Sequence, residues 1–389
     1  MSNADFIVIG AGVAGLSAAA RLARHGRVAV VEAEDAIGYH SSGRSATFSH
    51  YGIGDETVRG LTAYSRRFFE EPPAGFCPVP LSRRAAALFI ATEEMLEPLD
   101  RLHQAMARFT NDLSVVDAPG MKTMVPILKT GRDGAVGGVV DPDGLRLDAD
   151  ALLQGYARAV RGAGGTIHLG HRISTIERQS ADWRVRSEAG EEWRAPILVN
   201  AAGAWADAVA ATAGVRPLRL EPKRRTIIVI DPPPEVDVRG WPFVKTVVDD
   251  FYLLPEAGKL VASPVDEVPS EPTDCQPEDY DIALAASKVE QYTILPVRRI
   301  AHSWAGLRSF VADRVPTAGF APDTPGFFWL AGQGGYGLQT APAMAEIAEA
   351  LVTGGNWPWG LAELGVTAAA ILPERLDTQQ INSPSVRLG

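Results

Sequence analysis

The run Gly10-Ala-Gly12-Val-Ala-Gly15 constrains this chain more than any other feature, because it stands directly after a β-branched stretch, Asp5 to Ile9, and directly before a helical one. Leu16, Ala19, Ala20 and Ala23 recur at helical spacing, which predicts a helix over Ser17 to His25 with Gly26 just past its end. Arg27 to Val31 reads as a second strand. Strand, glycine turn, helix and strand within about 30 residues make a βαβ unit, whose right-handed crossover requires a parallel sheet. Each glycine has a physical task. Gly10 permits the tight turn, Gly12 lets a pyrophosphate approach the backbone, and Gly15 lets helix and strand pack closely. Ala14 lies in the same turn. Glu32 and Ala33 end the second strand, and a carboxylate at Glu32 can accept hydrogen bonds from ribose hydroxyls while repelling the extra phosphate of NADP.

Composition narrows the rest. The chain has 389 residues, roughly two or three domains' worth, with 37 Lys and Arg against 47 Asp and Glu. A net charge of −10 with no basic tract argues against a nucleic-acid binder. Cys77 and Cys275 are too far apart for a zinc pair or a disulfide framework, so no metal is expected. No run approaches the roughly 18 apolar residues of a membrane span, and Asp5 stands where a signal peptide needs positive charge. The expectation is a cytoplasmic protein with small-molecule chemistry.

Further along, Val58 to Glu70 reads as a helix stopped by Pro72 and Pro73, while residues 85–147 lack the βαβ rhythm. Asp148 is a candidate N-cap for a helix reaching about Arg161. Thr166 to Leu169, Ile173 to Glu177 and Trp183 to Ser187 have the spacing of a small sheet, and Ile197 to Asn200 is a buried-type strand. Residues 205–307 are rich in proline and in strand-like runs such as Thr226 to Ile230 and Lys245 to Val248, as in a mainly antiparallel second domain. Phe327 to Leu330 then runs into Gly332-Gln-Gly-Gly335 and a helix from about Thr340 to Val352.

Three further runs accompany the glycine turn: Tyr39 to Ala46, Asn200 to Trp205 and Ala331 to Thr340. In this order they resemble the D-amino acid oxidase superfamily of FAD-dependent oxidoreductases over nearly the whole chain. Pro72 to Cys77, Pro222 to Arg225, Trp304 to Asp313 and Gly332 to Gly337 look most like its bacterial D-arginine dehydrogenase branch. The resemblance implies an α/β fold: a Rossmann-type FAD-binding domain, discontinuous over 1–84, 148–204 and 308–377, and an α+β substrate domain with a mainly antiparallel sheet over 85–147 and 205–307. Residues 378–389 form a tail. Ser41, Ser42, Arg44, Ser45 and Ala46 would lie along the flavin, Ile173 would contact the adenine, and Ala202, Gly203 and Trp205 would line the diphosphate. Gly332, Gly334, Gly335, Tyr336, Gly337, Leu338, Gln339 and Thr340 would place N–H groups and a helix N-terminus beside the flavin edge that gains negative charge on reduction. Neither cysteine lies in this late loop, so FAD is expected to be non-covalent.

For a substrate, Arg308 offers a guanidinium fork matching a carboxylate. The resemblance adds Arg225 and Tyr252 on the carboxylate side and the Gly335 carbonyl as acceptor for the amine. His50 is the candidate base, and Phe48, Tyr51 and Ile53 would shape the pocket. Where arginine-preferring relatives carry a carboxylate for the distal guanidinium, the ungapped alignment places Ala87, which implies a pocket for neutral or hydrophobic side chains. The reading is a D-amino acid dehydrogenase passing hydride from Cα to flavin N5, the imino acid then hydrolysing to a 2-oxo acid and ammonia. Its electron acceptor is unidentified, a quinone or similar carrier ahead of oxygen. Alternatives are an N-methyl amino acid (sarcosine) oxidase or a 2-hydroxy acid dehydrogenase of the same superfamily, and a flavin-bearing electron-transfer module.

Overall fold

The structure, a computed structural model, describes residues 2–234 and 236–376, so the expected tail at 378–389 lies outside it. Every residue of the strands Phe6–Ile9 and Val28–Val31 is buried, and a strand buried on both faces needs a layer on each side. Period-two alternation divides them. Phe6, Val8, Val28 and Val30 pack on the helices Val13–Leu22, Glu56–Glu70, Ala149–Gly162 and Gly337–Thr353, whereas Ile7, Ile9, Ala29 and Val31 pack on Trp183, Val185 and Trp193.

The sheet between these layers has six strands in the order Thr166–His168, Val28–Val31, Phe6–Ile9, Ile197–Asn200, Phe327–Ala331 and Thr317–Phe320. All neighbours are parallel except the last pair. The layer bearing Trp183 and Trp193 is a four-stranded sheet that includes Ile173–Gln179 and Asp182–Ser187. Thr166–His168, grouped with those two by spacing, joins the parallel sheet instead. The first helix starts at Val13 rather than Ser17, so that Gly15 lies inside its first turn. Asp148 caps the helix Ala149–Gly162 by accepting from the Ala151 N–H at 2.8 Å.

A nine-stranded, mostly antiparallel sheet makes the second body of the fold, and residues 85–147 contribute Ala87–Ala91, Ser114–Asp117 and Gly137–Asp141 to it. One face carries Ile228, Val244 and Leu253 against the helix Asp279–Tyr292. The register identifies the other face. Lys245 opposes Tyr252, which opposes Ser263; Ile228 opposes Ala262, so Ile227 shares the face of Ser263; Arg225 opposes Gly306. Side chains alternate along each strand, so Phe243, Lys245, Tyr252, Arg225 and Arg308 all project from that one face. Arg308, expected on the FAD-binding side of a boundary at 307/308, lies inside the strand Ile300–Phe310 of this sheet. Among the described residues no helix is long and apolar enough to cross a membrane.

Candidate active site

Three adjoining cavities of about 290, 150 and 320 Å³ follow one another past the ends of the parallel strands. Gly12, Ser41 and Ser42 line the first and second; Phe48, Arg225, Arg308 and Gly335 line the second and third.

The first is built by the glycine turn. Gly10 has φ +103°, and a Cβ there would stand 2.5 Å from the Ala201 carbonyl oxygen; a Cβ on Gly15 would collide with the Gly10 carbonyl. Glu32 accepts from the backbone N–H of Ala11 at 2.6 Å and of Glu34 at 3.0 Å, which fixes the loop and leaves further lone pairs for a ligand hydroxyl. Ser42 Oγ accepts from the Val13 N–H at 3.0 Å. No acidic side chain occupies the first turn of the helix Val13–Leu22 or of Gly337–Thr353, so both N-terminal ends keep their attraction for anions.

A strap over residues 38–47 covers the second cavity and is fastened to the larger sheet. Ser41 Oγ donates to the Leu307 carbonyl at 2.5 Å and Trp304 Nε1 to the Arg44 carbonyl at 2.9 Å. The Arg44 guanidinium reaches the Cys275 carbonyl at 3.0 Å and Asp274 at 2.5 Å. Arg44 thus lines this cavity while its guanidinium also fastens the strap. Opposite, Gly332 and Gly334 take φ +73° and +52° to aim the late loop inward, and the buried Gln333 Nε2 has no hydrogen-bond partner.

The third cavity holds two arginines in different states. Arg225 is 4% exposed; its Nε donates to the Asp266 carbonyl at 2.6 Å and Glu267 lies 3.4 Å from Nη2. Burial, then the nearby charge of Arg308, pulls its pKa down to about 10. Arg308 has neither a hydrogen bond nor an ion pair among the described residues. Its guanidinium lies flat against Gly335, where a Cβ would stand 2.6 Å from Nη1. The Tyr252 hydroxyl is buried in the same cavity, also unpartnered.

Residues 5–351 match the family model described as FAD dependent oxidoreductase, DAO. The chain belongs to this family. Its cofactor is therefore FAD, and the cradle fits it: two bare helix N-termini, glycines that leave no room for a side chain, and an orphaned amide at the late loop. The glycerol 3-phosphate dehydrogenase of Caloramator mitchellensis is 23% identical over 365 residues, 88% of this chain and 72% of that protein. Among solved structures, L-proline dehydrogenase from P. horikoshii superposes with a TM-score of 0.84 at 20% identity, covering 97% and 99% of the two chains. Glycine oxidase from Geobacillus kaustophilus gives 0.81 at 19%, covering 95% and 99%; L-alpha-glycerophosphate oxidase from Mycoplasma pneumoniae gives 0.82 at 19%, covering 92% and 100%. These likenesses carry the DAO fold but not the narrower resemblance to D-arginine dehydrogenase.

Most of the expected site residues of this DAO-family chain line the three cavities; Gly15, Tyr51, Ala87 and Thr340 do not. Gly15 serves packing, and Thr340 Oγ1 bonds back to the Tyr336 carbonyl at 2.9 Å. Tyr51 is buried beside Phe109, with ring centroids 5.9 Å apart. Ala87 is fully buried in its strand opposite Phe243 and never reaches the cavity, so its lack of charge says nothing about the substrate. His50 does line the third cavity, in surroundings that oppose its protonation. Its Nδ1 accepts the Gly52 N–H at 3.0 Å, leaving Nε2–H as a donor, and burial followed by Lys245 pulls its pKa down to about 3, against the opposing pull of Asp249.

Sequence reasoning missed Lys245, Asp249, Glu267 and Arg314, which give the expected apolar cavity charged walls. Glu267 holds Arg314 at 2.7 Å. Lys245, 7% exposed, holds Asp249 at 2.7 Å. Burial pushes Asp249 upward, yet Lys245, Arg225 and Arg308 together hold it below the usual carboxylate range. The signal was available: Phe243 and Lys245 share one strand face, so a lysine beside a buried aromatic had to point inward too.

Proposed function

We propose that this chain oxidises the Cα–N bond of a small α-amino acid, with D-amino acids the class its sequence motifs favour and with FAD held non-covalently. The observation that carries the reading is Arg308: a guanidinium lining the joint between the second and third cavities without a partner of its own. A charged fork left unpaired at a cavity wall is matched by a carboxylate held bidentately. The Tyr252 hydroxyl, which lacks an acceptor, supplies a further donor to that carboxylate. The Gly335 carbonyl accepts from the substrate amine, and Gly335 must be glycine for Arg308 to lie against it.

The first cavity would hold the adenosine half of FAD against Glu32, Ala33 and Ile173, the glycine turn its diphosphate, and the Gly332–Gly337 loop its ring system. Bound FAD supplies the hydride acceptor. Neither Cys77 nor Cys275 lines any of the three cavities, consistent with a non-covalent cofactor. The protein's contribution is orientation and fixed charge, because His50 offers a hydrogen-bond donor and not a proton acceptor.

A second reading follows from the same guanidinium, which also matches a phosphate; two of the relatives above are named for glycerol 3-phosphate chemistry. An anaerobic screen of the yellow holoprotein against D- and L-amino acids, sarcosine, 2-hydroxy acids and glycerol 3-phosphate, following loss of the flavin band, separates the two. Bleaching by D-amino acids supports the proposal. Bleaching by L-amino acids or sarcosine keeps Arg308 as anchor and changes the handedness or the amine. Bleaching by glycerol 3-phosphate or hydroxy acids alone overturns it.

A further inference from the structure

The third cavity holds a second cation with capacity to spare. The Lys245 ammonium donates to the Thr246 carbonyl at 3.2 Å and pairs with Asp249 at 2.7 Å. An ammonium has three N–H groups, and among the described residues no acceptor takes the third. Lys245 comes from the middle of the sheet, whereas Arg308 comes from the strand beyond Arg225, so the two lie on one face and line one cavity from different sides. The other two cations lining the cavity are committed, Arg225 to Asp266 and Glu267, and Arg314 to Glu267.

The charges rank the side chains a substrate can carry. A neutral amino acid uses Arg308 and leaves the spare N–H of Lys245 stripped of water beneath an apolar side chain, which is unfavourable. A basic side chain must bring a cation up to Lys245, and the carboxylates lining the cavity are already engaged: Asp249 by Lys245, Glu267 by Arg314, Asp313 by Arg375, and Asp55 as a helix cap. A distal carboxylate meets the spare N–H directly. The Asp249 side chain is 61% exposed at the rim whereas that of Lys245 is 7% exposed, so the lysine is the partner that faces inward.

We propose that Lys245 is the specificity-determining residue of this cavity and that the preferred substrate is an acidic α-amino acid, its α-carboxylate on Arg308 and its distal carboxylate on Lys245. This rests on the reading of the site as an amino acid oxidising one.

The test compares D-Asp and D-Glu with D-Asn, D-Gln and D-Ala, and with the L-forms, in anaerobic bleaching of the wild-type holoprotein, Lys245→Met and Lys245→Arg. In parallel, succinate and glutarate are scored for the rise they cause in melting temperature, a readout that needs no turnover. The wild type is expected to prefer Glu or Asp over its amide by at least tenfold in kcat/KM. Lys245→Met is expected to lose on the order of 100-fold toward the acidic substrates, mostly in KM, and much less toward the amides. Lys245→Arg is expected to recover part of the loss, and the dicarboxylate-induced melting shift to disappear in Lys245→Met. A wild type that prefers amides, or a Lys245→Met variant that weakens acids and amides equally while retaining FAD, overturns the assignment. If no amino acid bleaches the flavin, the underlying reading fails, and a dicarboxylate shift lost in Lys245→Met then still supports Lys245 as an anion site.

Discussion

The nucleotide cavity and the substrate cavity are built by opposite means. The first is made from backbone: a contiguous glycine turn, the N-terminus of the helix Val13–Leu22, and one carboxylate tying the loop's N–H groups. The second is made from side chains on strands far apart in the chain, Phe243–Thr246, Tyr252–Glu256, Glu221–Ile230 and Ile300–Phe310, brought together only by register. A site of backbone is written in consecutive residues and tolerates little change. A site of side chains is written in strand parity, and single substitutions can re-address it without disturbing the cofactor.

That contrast can be broken in graded steps. Gly15→Ala drives a methyl group into the Gly10 carbonyl, so the variant is expected to purify colourless, checked by flavin absorbance per protein; full FAD occupancy would contradict a backbone-built cradle. Arg308→Met should keep its flavin yet lose on the order of 1000-fold in kcat/KM, the scale for removing one partner of a buried charge pair. Gly335→Ala probes the joint between the cavities. Its Cβ displaces Arg308, so FAD should be retained while KM rises about 10- to 100-fold, the cost of moving an anchor without deleting it. The smallest effect is thermodynamic. His50 is held near 3 in the fold against 6.5 for an unperturbed histidine, so the unfolded chain binds its proton first and stability falls as pH drops below 6.5. Between pH 6.5 and 4 that loss is at most about 3 kcal/mol, and denaturant unfolding of His50→Asn should show a correspondingly shallower acid slope. An unchanged slope would mean that His50 is solvated.

Local patterns revealed the parallel sheet because its signals are local: a β-branched run, a glycine turn, an N-cap at Asp148. They did not reveal which sheet a short strand joins, and Thr166–His168 went to the parallel sheet because edge pairing is a tertiary matter. The stretch 85–147 lacks the βαβ rhythm because its strands Ala87–Ala91, Ser114–Asp117 and Gly137–Asp141 pair antiparallel with one another and reach the rest of the sheet through Phe243–Thr246, more than a hundred residues away. Arg308 was legible from its surroundings in Trp304 to Asp313. Lys245 is legible only when its strand is extended back to Phe243, where alternation sets the lysine on the face of a buried aromatic. Ala87 illustrates the converse: the resemblance implies a place at the substrate, and the fold buries it in its strand beside Phe243.

The strap over residues 38–47 belongs by chain order to the parallel sheet and by bonding to the other one. Its fastenings, Ser41 to Leu307, Trp304 to Arg44, and Arg44 to Asp274 and Cys275, are all protein to protein. Escape of the dinucleotide past the strap requires undoing these bonds together. A strap with these bonds weakened is expected to shed cofactor faster even with every contact of the cradle intact, read as the rate of flavin loss on dilution.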